Sequence, residues 1–393
     1  MPVAKKIAGY IERSSWIRAM FEAGAKLKAE RGADKVFDFS LGNPNLEPPE
    51  QFFTVAGRLA ADRTPGAHAY MPNAGYPAVR EKVAAYLSEQ HGGIGFTAND
   101  VIMSVGAGGA LNSVLKAIID PEAEVVVPTP YFVEYDFYLE NHGGKVTRVP
   151  TKADFSLDVA AVAGAVNERT AAVLINSPNN PTGAIYRPEE LAELAQALTD
   201  LGHKRGRAIY LISDEPYRQI VFDDAEVASV FAAYPHSIVV TSFSKNLSLP
   251  GERIGYVAVH PEADDRQQLL AGITLATRIL GFVNAPALMQ RTVAELLHET
   301  ADVAQYAHKR ELICGVLDQA GFEYVKPLGA FYVFPKSPLA DDVAFCKAAQ
   351  EEGLLLVPGS GFMGPGHFRI AFCCDDQTIT RSAATFQKVR ARF

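Results

Sequence analysis

Lys245 closes the run Ser242-Phe243-Ser244-Lys245, directly after a β-branched apolar stretch. A lysine amine condenses with carbonyl compounds once it is deprotonated, and desolvation or neighbouring positive charge lowers its pKa toward that state. Any single lysine more often ends in a solvated loop, so Lys245 gains weight only from its company. Asp214 ends another apolar stretch, in Ser213-Asp214-Glu215-Pro216. A carboxylate buried near a pyridine nitrogen would keep that nitrogen protonated, as pyridoxal phosphate requires to act as an electron sink. A helix or turn cap is the commoner use of such an aspartate. Arg253 lies shortly after Lys245, and its guanidinium suits a phosphate as well as a surface ion pair. Gly106-Ala107-Gly108-Gly109 sits between the apolar run 101–105 and a stretch whose Leu111, Val114, Leu115, Ile118 and Ile119 share one helical face. Small residues opening a helix let backbone amides approach an anion, whose charge the helix dipole favours. The turn matches neither GxGxxG nor a P-loop, so nicotinamide and P-loop readings lose support.

Elements that must position these groups follow in order along the chain. Strand-like runs at 124–127, 171–175, 208–213, 237–242 and 254–259 alternate with helical stretches such as 188–201. Near-continuous apolar strands separated by helices predict a parallel sheet buried on both faces. Ligands of such sheets bind beyond the carboxyl ends of the strands, which is where Asn176, Asp214 and the run ending at Lys245 fall. Past about Ala285 the pattern changes to a long helical region (287–320), apolar runs at 324–327 and 330–334, a helix over 341–352, and short runs at 354–357 and 368–373. That reads as a smaller α+β unit. Residues 12–31 read as an amphipathic helix through Trp16, Ile17, Met20, Phe21 and Leu27, and the run 36–41 stops at the turn Gly42-Asn43-Pro44. If that helix packs on the C-terminal unit, the chain divides into a large domain, 45–285, and a discontinuous small one, 1–44 with 286–393.

A chain of 393 residues is long enough for such a division and buries a core without a disulfide or metal staple. Its formal net charge of −8 argues against a duplex nucleic-acid partner, which asks for a basic surface. Cys314, Cys346, Cys373 and Cys374 form no CxxC pair. Adjacent Cys373 and Cys374 on a strand would face opposite ways, so all are read as reduced thiols of a cytoplasmic protein. No HExxH or Cys/His cluster supports a metal site. No apolar segment follows Lys5 and Lys6 as in a signal peptide, and no uncharged run approaches the ~20 residues of a membrane helix.

Four motifs in order then carry a resemblance over nearly the whole chain: Asn179-Asn180-Pro181-Thr182-Gly183, Asp214-Glu215-Pro216-Tyr217, Ser242-Phe243-Ser244-Lys245 with Arg253-Ile254-Gly255-Tyr256, and Phe368-Arg369-Ile370. The sequence resembles the class I/II aminotransferases, fold-type I pyridoxal-phosphate enzymes of the aspartate aminotransferase superfamily. The resemblance implies an α/β fold: a large domain with a mostly parallel seven-stranded sheet flanked by helices, plus the smaller α+β domain. It also implies pyridoxal 5′-phosphate as cofactor and ping-pong transfer of an amino group between an L-amino acid and a 2-oxo acid. Lys245 would be the Schiff-base lysine and proton shuttle, and Asp214 the partner of the ring nitrogen. Asn180 and Tyr217 would hydrogen-bond the ring's phenolic oxygen, and Tyr131, in Pro130-Tyr131-Phe132, would stack on the ring. Ala107, Gly108, Ser242 and Arg253, joined by Ser244, would hold the phosphate. Tyr70 would reach the phosphate of a neighbouring subunit, making a homodimer with shared active sites. Arg369 would bind the substrate α-carboxylate bidentately, with Asn180 and the backbone at Gly42.

The side-chain pocket is less specified. Relatives that take dicarboxylates use a further cation, in some of them near the phosphate turn, where Gly108-Gly109 offers no side chain. Ser14, Ser15 and Trp16 could line the pocket or serve only as a cap and a packing aromatic. Dicarboxylic, aromatic, alanine-like and other neutral donors therefore all stay open. A carbon–sulfur lyase would use the same lysine and aspartate. A non-catalytic regulator of this fold would carry a DNA-binding segment before the core, for which the stretch ahead of Gly42 is short.

Overall fold

The computed structural model describes residues 2–13, 24 and 27–393 of the chain. Strand β1 is the short Phe37–Asp38. The apolar runs of the middle region become β2 (Val101–Ser104), β3 (Glu124–Thr129), β4 (Lys145–Pro150), β5 (Thr170–Asn176), β6 (Tyr210–Asp214), β7 (Ser237–Ser242) and β8 (Gly255–Val259). These form one seven-stranded sheet in the order β2-β8-β7-β6-β5-β3-β4. All neighbours are parallel except β8, which runs against both β2 and β7. The reversal brings the start of β8 to the ends of its neighbours: Gly255 is in register with Ser104 on one side and Ser242 on the other.

Both faces of the sheet are covered, and the burial explains the sequence pattern. Val126, Val173, Leu211 and Val239 enter one core with the helices Pro77–Gln90 and Pro188–Arg205. Val125, Val127, Leu174, Ile212 and Val240 enter another with the helices Gly106–Ile118 and Arg266–Ile279. Alternate residues of a strand point to opposite faces, so a strand buried on both faces must be apolar throughout. Strand β4, at one edge of the sheet, escapes that pattern, with only Val149 buried, whereas β2 at the other edge is buried throughout.

A third core gathers Phe39, Ile313, Leu317, Phe331, Tyr332, Phe345, Phe368, Ile370 and Phe386. It surrounds β9 (Tyr332–Val333), β10 (Leu354–Leu355), β11 (Val357–Pro358) and β12 (Phe368–Ala371). A three-stranded antiparallel sheet runs β11-β12-β9, while β1 pairs in parallel with β10 and so ties the segment before Gly42 to the C-terminal region.

Several expectations shift. The helical region 287–320 is two helices, Ala287–Val293 and Val303–Ala320, the second begun by Asp302, whose side chain accepts from the Ala304 amide. Met289, Val293, Leu296 and Leu297 pack in the core of the large sheet, so that core extends past Ala285. Residues 324–327 form no strand, and the run 330–334 narrows to β9. Lys5–Arg13 is helical, as are residues 27–31. Ser14, Ser15, Trp16, Ile17, Met20 and Phe21 lie outside the described residues. No described helix is long and apolar enough to cross a membrane.

Candidate active site

The register of the large sheet assembles the site. The ends of β5, β6 and β7 and the approach to β8 border a cavity of about 400 Å³, which Arg369 and Tyr332 of the small sheet close from the other side. Asp214 is the last residue of β6 and is paired with Asn176, the last of β5. Asn176 fixes the region twice: its Nδ2 donates to the Asp214 carbonyl (2.8 Å) and its Oδ1 accepts from the Asn180 amide (2.8 Å). Asp214 Oδ2 accepts from the Tyr135 hydroxyl at 2.6 Å, whereas Oδ1 is buried with no hydrogen-bond partner. Burial pushes this carboxyl up to about 7, with the Glu215 charge adding to the rise and the Tyr135 bond opposing it.

Lys245 follows β7 and extends into the cavity. Its Nζ donates to the Gly42 carbonyl at 2.9 Å and lies over the rings of Phe331 (5.3 Å) and Tyr217 (5.9 Å). Burial pulls its amine down to about 8, helped by the cations Arg369 and Arg253 and opposed by Cys373. Gly42 has no room for a side chain: a Cβ there would stand 2.0 Å from the Tyr332 hydroxyl oxygen.

Arg369, on β12, is buried between two rings, 4.7 Å from Tyr332 and 4.6 Å from Phe362. Its Nη2 donates to the Ser40 carbonyl (2.7 Å) and its Nη1 to Asn180 Oδ1 (3.1 Å), while the buried Nε has no partner. Burial lowers its pKa, and no carboxylate is among the groups that oppose the shift. A desolvated guanidinium without a counter-ion favours an incoming carboxylate. Tyr217 and Tyr332 share a hydrogen bond between hydroxyls at 2.9 Å, and burial raises both pKa values, Tyr332 to about 12. Both stay protonated as donors.

Opposite Arg369 lies the glycine-rich turn. Gly106, at φ +73°, opens the helix Gly106–Ile118, and a Cβ on it would stand 2.9 Å from Arg253 Nη2. Ala107, Gly108, Ser242, Ser244 and Arg253 all line this end. Arg253 itself holds a left-handed backbone (φ 51°), with Nη1 donating to the Pro250 carbonyl at 2.8 Å. Helix amides, hydroxyls and a guanidinium converging on one point form an anion cradle.

An amine, a carboxylate with a free oxygen, an anion cradle and a ring-clamped guanidinium thus share one cavity. The family model described as Aminotransferase class I and II matches residues 34–386. The chain belongs to that family. Aspartate/prephenate aminotransferase of Thermus thermophilus is 31% identical over 368 residues, 92% of each chain, and aspartate aminotransferase of Pyrococcus abyssi is 30% identical over 95% of each. Among solved structures, an aminotransferase from Eubacterium rectale superposes with a TM-score of 0.96 at 37% identity, covering 100% of this chain and 99% of that one. The Thermus thermophilus aspartate aminotransferase with maleate superposes with a TM-score of 0.84 at 28% identity, covering 95% of this chain and 96% of its own. This protein is therefore a transaminase, with pyridoxal 5′-phosphate as its cofactor.

The aminotransferase cavity fits that cofactor on its own terms. The partnerless Asp214 Oδ1 offers an acceptor to a protonated ring nitrogen, and the cradle around Gly108 offers donors to a phosphate. Of the expected site residues, Gly42, Ala107, Gly108, Asn180, Asp214, Tyr217, Ser242, Ser244, Lys245, Arg253 and Arg369 line the cavity together. Tyr131 does not. It is buried in the core against Tyr135, its hydroxyl donating to Asp136 (2.7 Å) and accepting from Arg148 Nε (2.8 Å). Phe132, its neighbour, faces the cavity instead, so the expected stacking by Tyr131 does not fit. Tyr70 lies outside the lining and is 89% exposed. The sequence placed Asn176 at a strand end but assigned it no role, and it singled out neither Tyr135 nor Tyr332: Tyr332 sits in an apolar run, and Tyr135 between Glu134 and Asp136 carries no pattern that points to the cavity.

Proposed function

We propose that this aminotransferase holds its cofactor covalently on Lys245 and moves protons with the same amine. Bound pyridoxal phosphate supplies an aldehyde that condenses with amines and a ring that withdraws electrons from the substrate α-carbon. Asp214 Oδ1 holds the proton on the ring nitrogen, and Tyr135 fixes the carboxylate's direction through Oδ2. The amides at Ala107 and Gly108, the hydroxyls of Ser242 and Ser244, and Arg253 would hold the phosphate, Phe132 would cover one ring face, and Tyr217 and Asn180 would donate to the phenolic oxygen. Arg369 takes the α-carboxylate and so orients the α-hydrogen toward Lys245. Lys245, freed as a neutral amine, would serve as the base for that hydrogen, which its lowered pKa favours.

One observation carries this reading: the Lys245 amine and the partnerless Asp214 oxygen open on one cavity that Arg369 also faces. The exposed Tyr70, unused by its own cavity, supports a homodimer in which it serves the partner's phosphate. Free cysteines support a cytoplasmic setting. Separate cores for the seven-stranded and three-stranded sheets support a large middle domain and a small one built from both ends. Initial rates at varied donor and acceptor test the transfer reaction. Parallel double-reciprocal lines are expected; intersecting lines, or release of pyruvate and ammonia from one amino acid without an acceptor, would contradict it.

A further inference from the structure

We infer that Glu134 is a specificity-determining residue: its carboxylate receives the cationic head of the amino donor's side chain and turns away donors with a second carboxylate. The inference rests on the assignment of the cavity to amino transfer. Glu134 and Tyr138 stand one turn apart on the helix Glu134–Asn141, and both line the cavity. Tyr138 marks where that face lies: its hydroxyl oxygen is 3.1 Å from the point a Cβ on Gly108 would occupy. The face therefore borders the phosphate turn and lines the same cavity as Lys245 and Arg369.

Among the described residues, five charged ones line the cavity: Lys245, Arg253, Arg369, Asp214 and Glu134. The first four have tasks toward the cofactor or the α-carboxylate. Glu134 has none, and no hydrogen bond or ion pair holds it among the described residues. Burial pushes its carboxyl up, and no cation offsets the shift. A half-buried carboxylate without a partner is a cost to the folded protein. An ammonium or guanidinium on the donor side chain offsets that cost through charge-assisted hydrogen bonds. A distal carboxylate meets repulsion there, and the described lining holds no uncommitted cation to receive it.

The test uses the holoenzyme with L-ornithine and L-aspartate as donors, following loss of each amino acid to obtain the ratio of kcat/KM. The wild type is expected to favour ornithine by about tenfold or more, the weight of one charged hydrogen bond. Glu134→Gln lowers that ratio by a similar factor and tightens binding of the unreactive dicarboxylate succinate, titrated through the cofactor spectrum. Glu134→Lys reverses the preference. Cofactor content reports that each variant folded and loaded. A wild type that uses aspartate at least as well as ornithine, or a Glu134→Gln ratio and succinate affinity equal to wild type, overturns the proposal. Amino-acid loss without any need for an acceptor would sink the transferase reading separately, and the ratio would still decide the role of Glu134.

Discussion

At the carboxyl ends of the central strands of the seven-stranded sheet, burial brings two titratable groups close to neutrality: Asp214 rises to about 7 and Lys245 falls to about 8. Across the cavity, the three-stranded sheet presents Arg369, a permanent cation clamped between Tyr332 and Phe362 and held by Ser40 and Asn180. Asp214 and Arg369 are buried and Lys245 is partly so, yet burial is put to different uses. On the large sheet it tunes proton affinity, so that small changes in surroundings move a proton. On the small sheet it strips water from a charge that does not titrate, leaving an unmet demand for a carboxylate. In the proposed function, reactivity therefore falls to one sheet and substrate registration to the other.

Damage to the large-sheet side should abolish chemistry. Lys245→Ala is expected to lower turnover by more than about 10⁴-fold, and stopped-flow single-turnover assays would check it; retained turnover would move the base elsewhere. Asp214→Ala should still bind the cofactor while kcat falls by about 10²–10³-fold, the scale of one lost preorganised charge. Wild-type kcat would assign the ring nitrogen to another partner. Damage to the small-sheet side should spare the cofactor. Arg369→Ala is expected to lower kcat/KM by about 10²-fold, mainly through KM, from the loss of two charged hydrogen bonds, with the cofactor spectrum unchanged. A changed spectrum would blur the separation between the sheets. The smallest effect is a pH shift. In the proposed function the neutral amine of Lys245 is the form that would bond the cofactor, and its pKa, lowered to about 8, makes that form dominate above about pH 8. Reconstitution of the cofactor-free protein should therefore slow as pH falls below 8 and level off above it, whereas an ordinary lysine would level off near ~10.4.

Much of this contrast was legible in the residue pattern, for reasons the two regions also separate. Strands buried on both faces advertise themselves as apolar runs, so β3, β5, β6, β7 and β8 were readable, and the polar residues at their ends pointed to the cavity. Strand β4 was missed because only Val149 of it is buried. The small sheet was harder: its strands are two to four residues long, too short to show a period. Tyr131 lies in the core and Phe132 lines the cavity, because adjacent residues leaving β3 face opposite ways and composition does not say which faces the core. Tyr135 and Tyr332 looked like core aromatics, and their bodies are buried as such; only their hydroxyls act, on Asp214 and Tyr217. The break between Val293 and Val303 was hidden because residues on both sides are helix formers packed in different cores.

Borohydride reduction of the holoenzyme, followed by proteolysis and mass mapping, addresses the covalent role of Lys245 directly. The cofactor mass should be found on the peptide containing Lys245, in proportion to the visible absorbance lost. Recovery on a different lysine, or none fixed in protein that carries the cofactor, would contradict it.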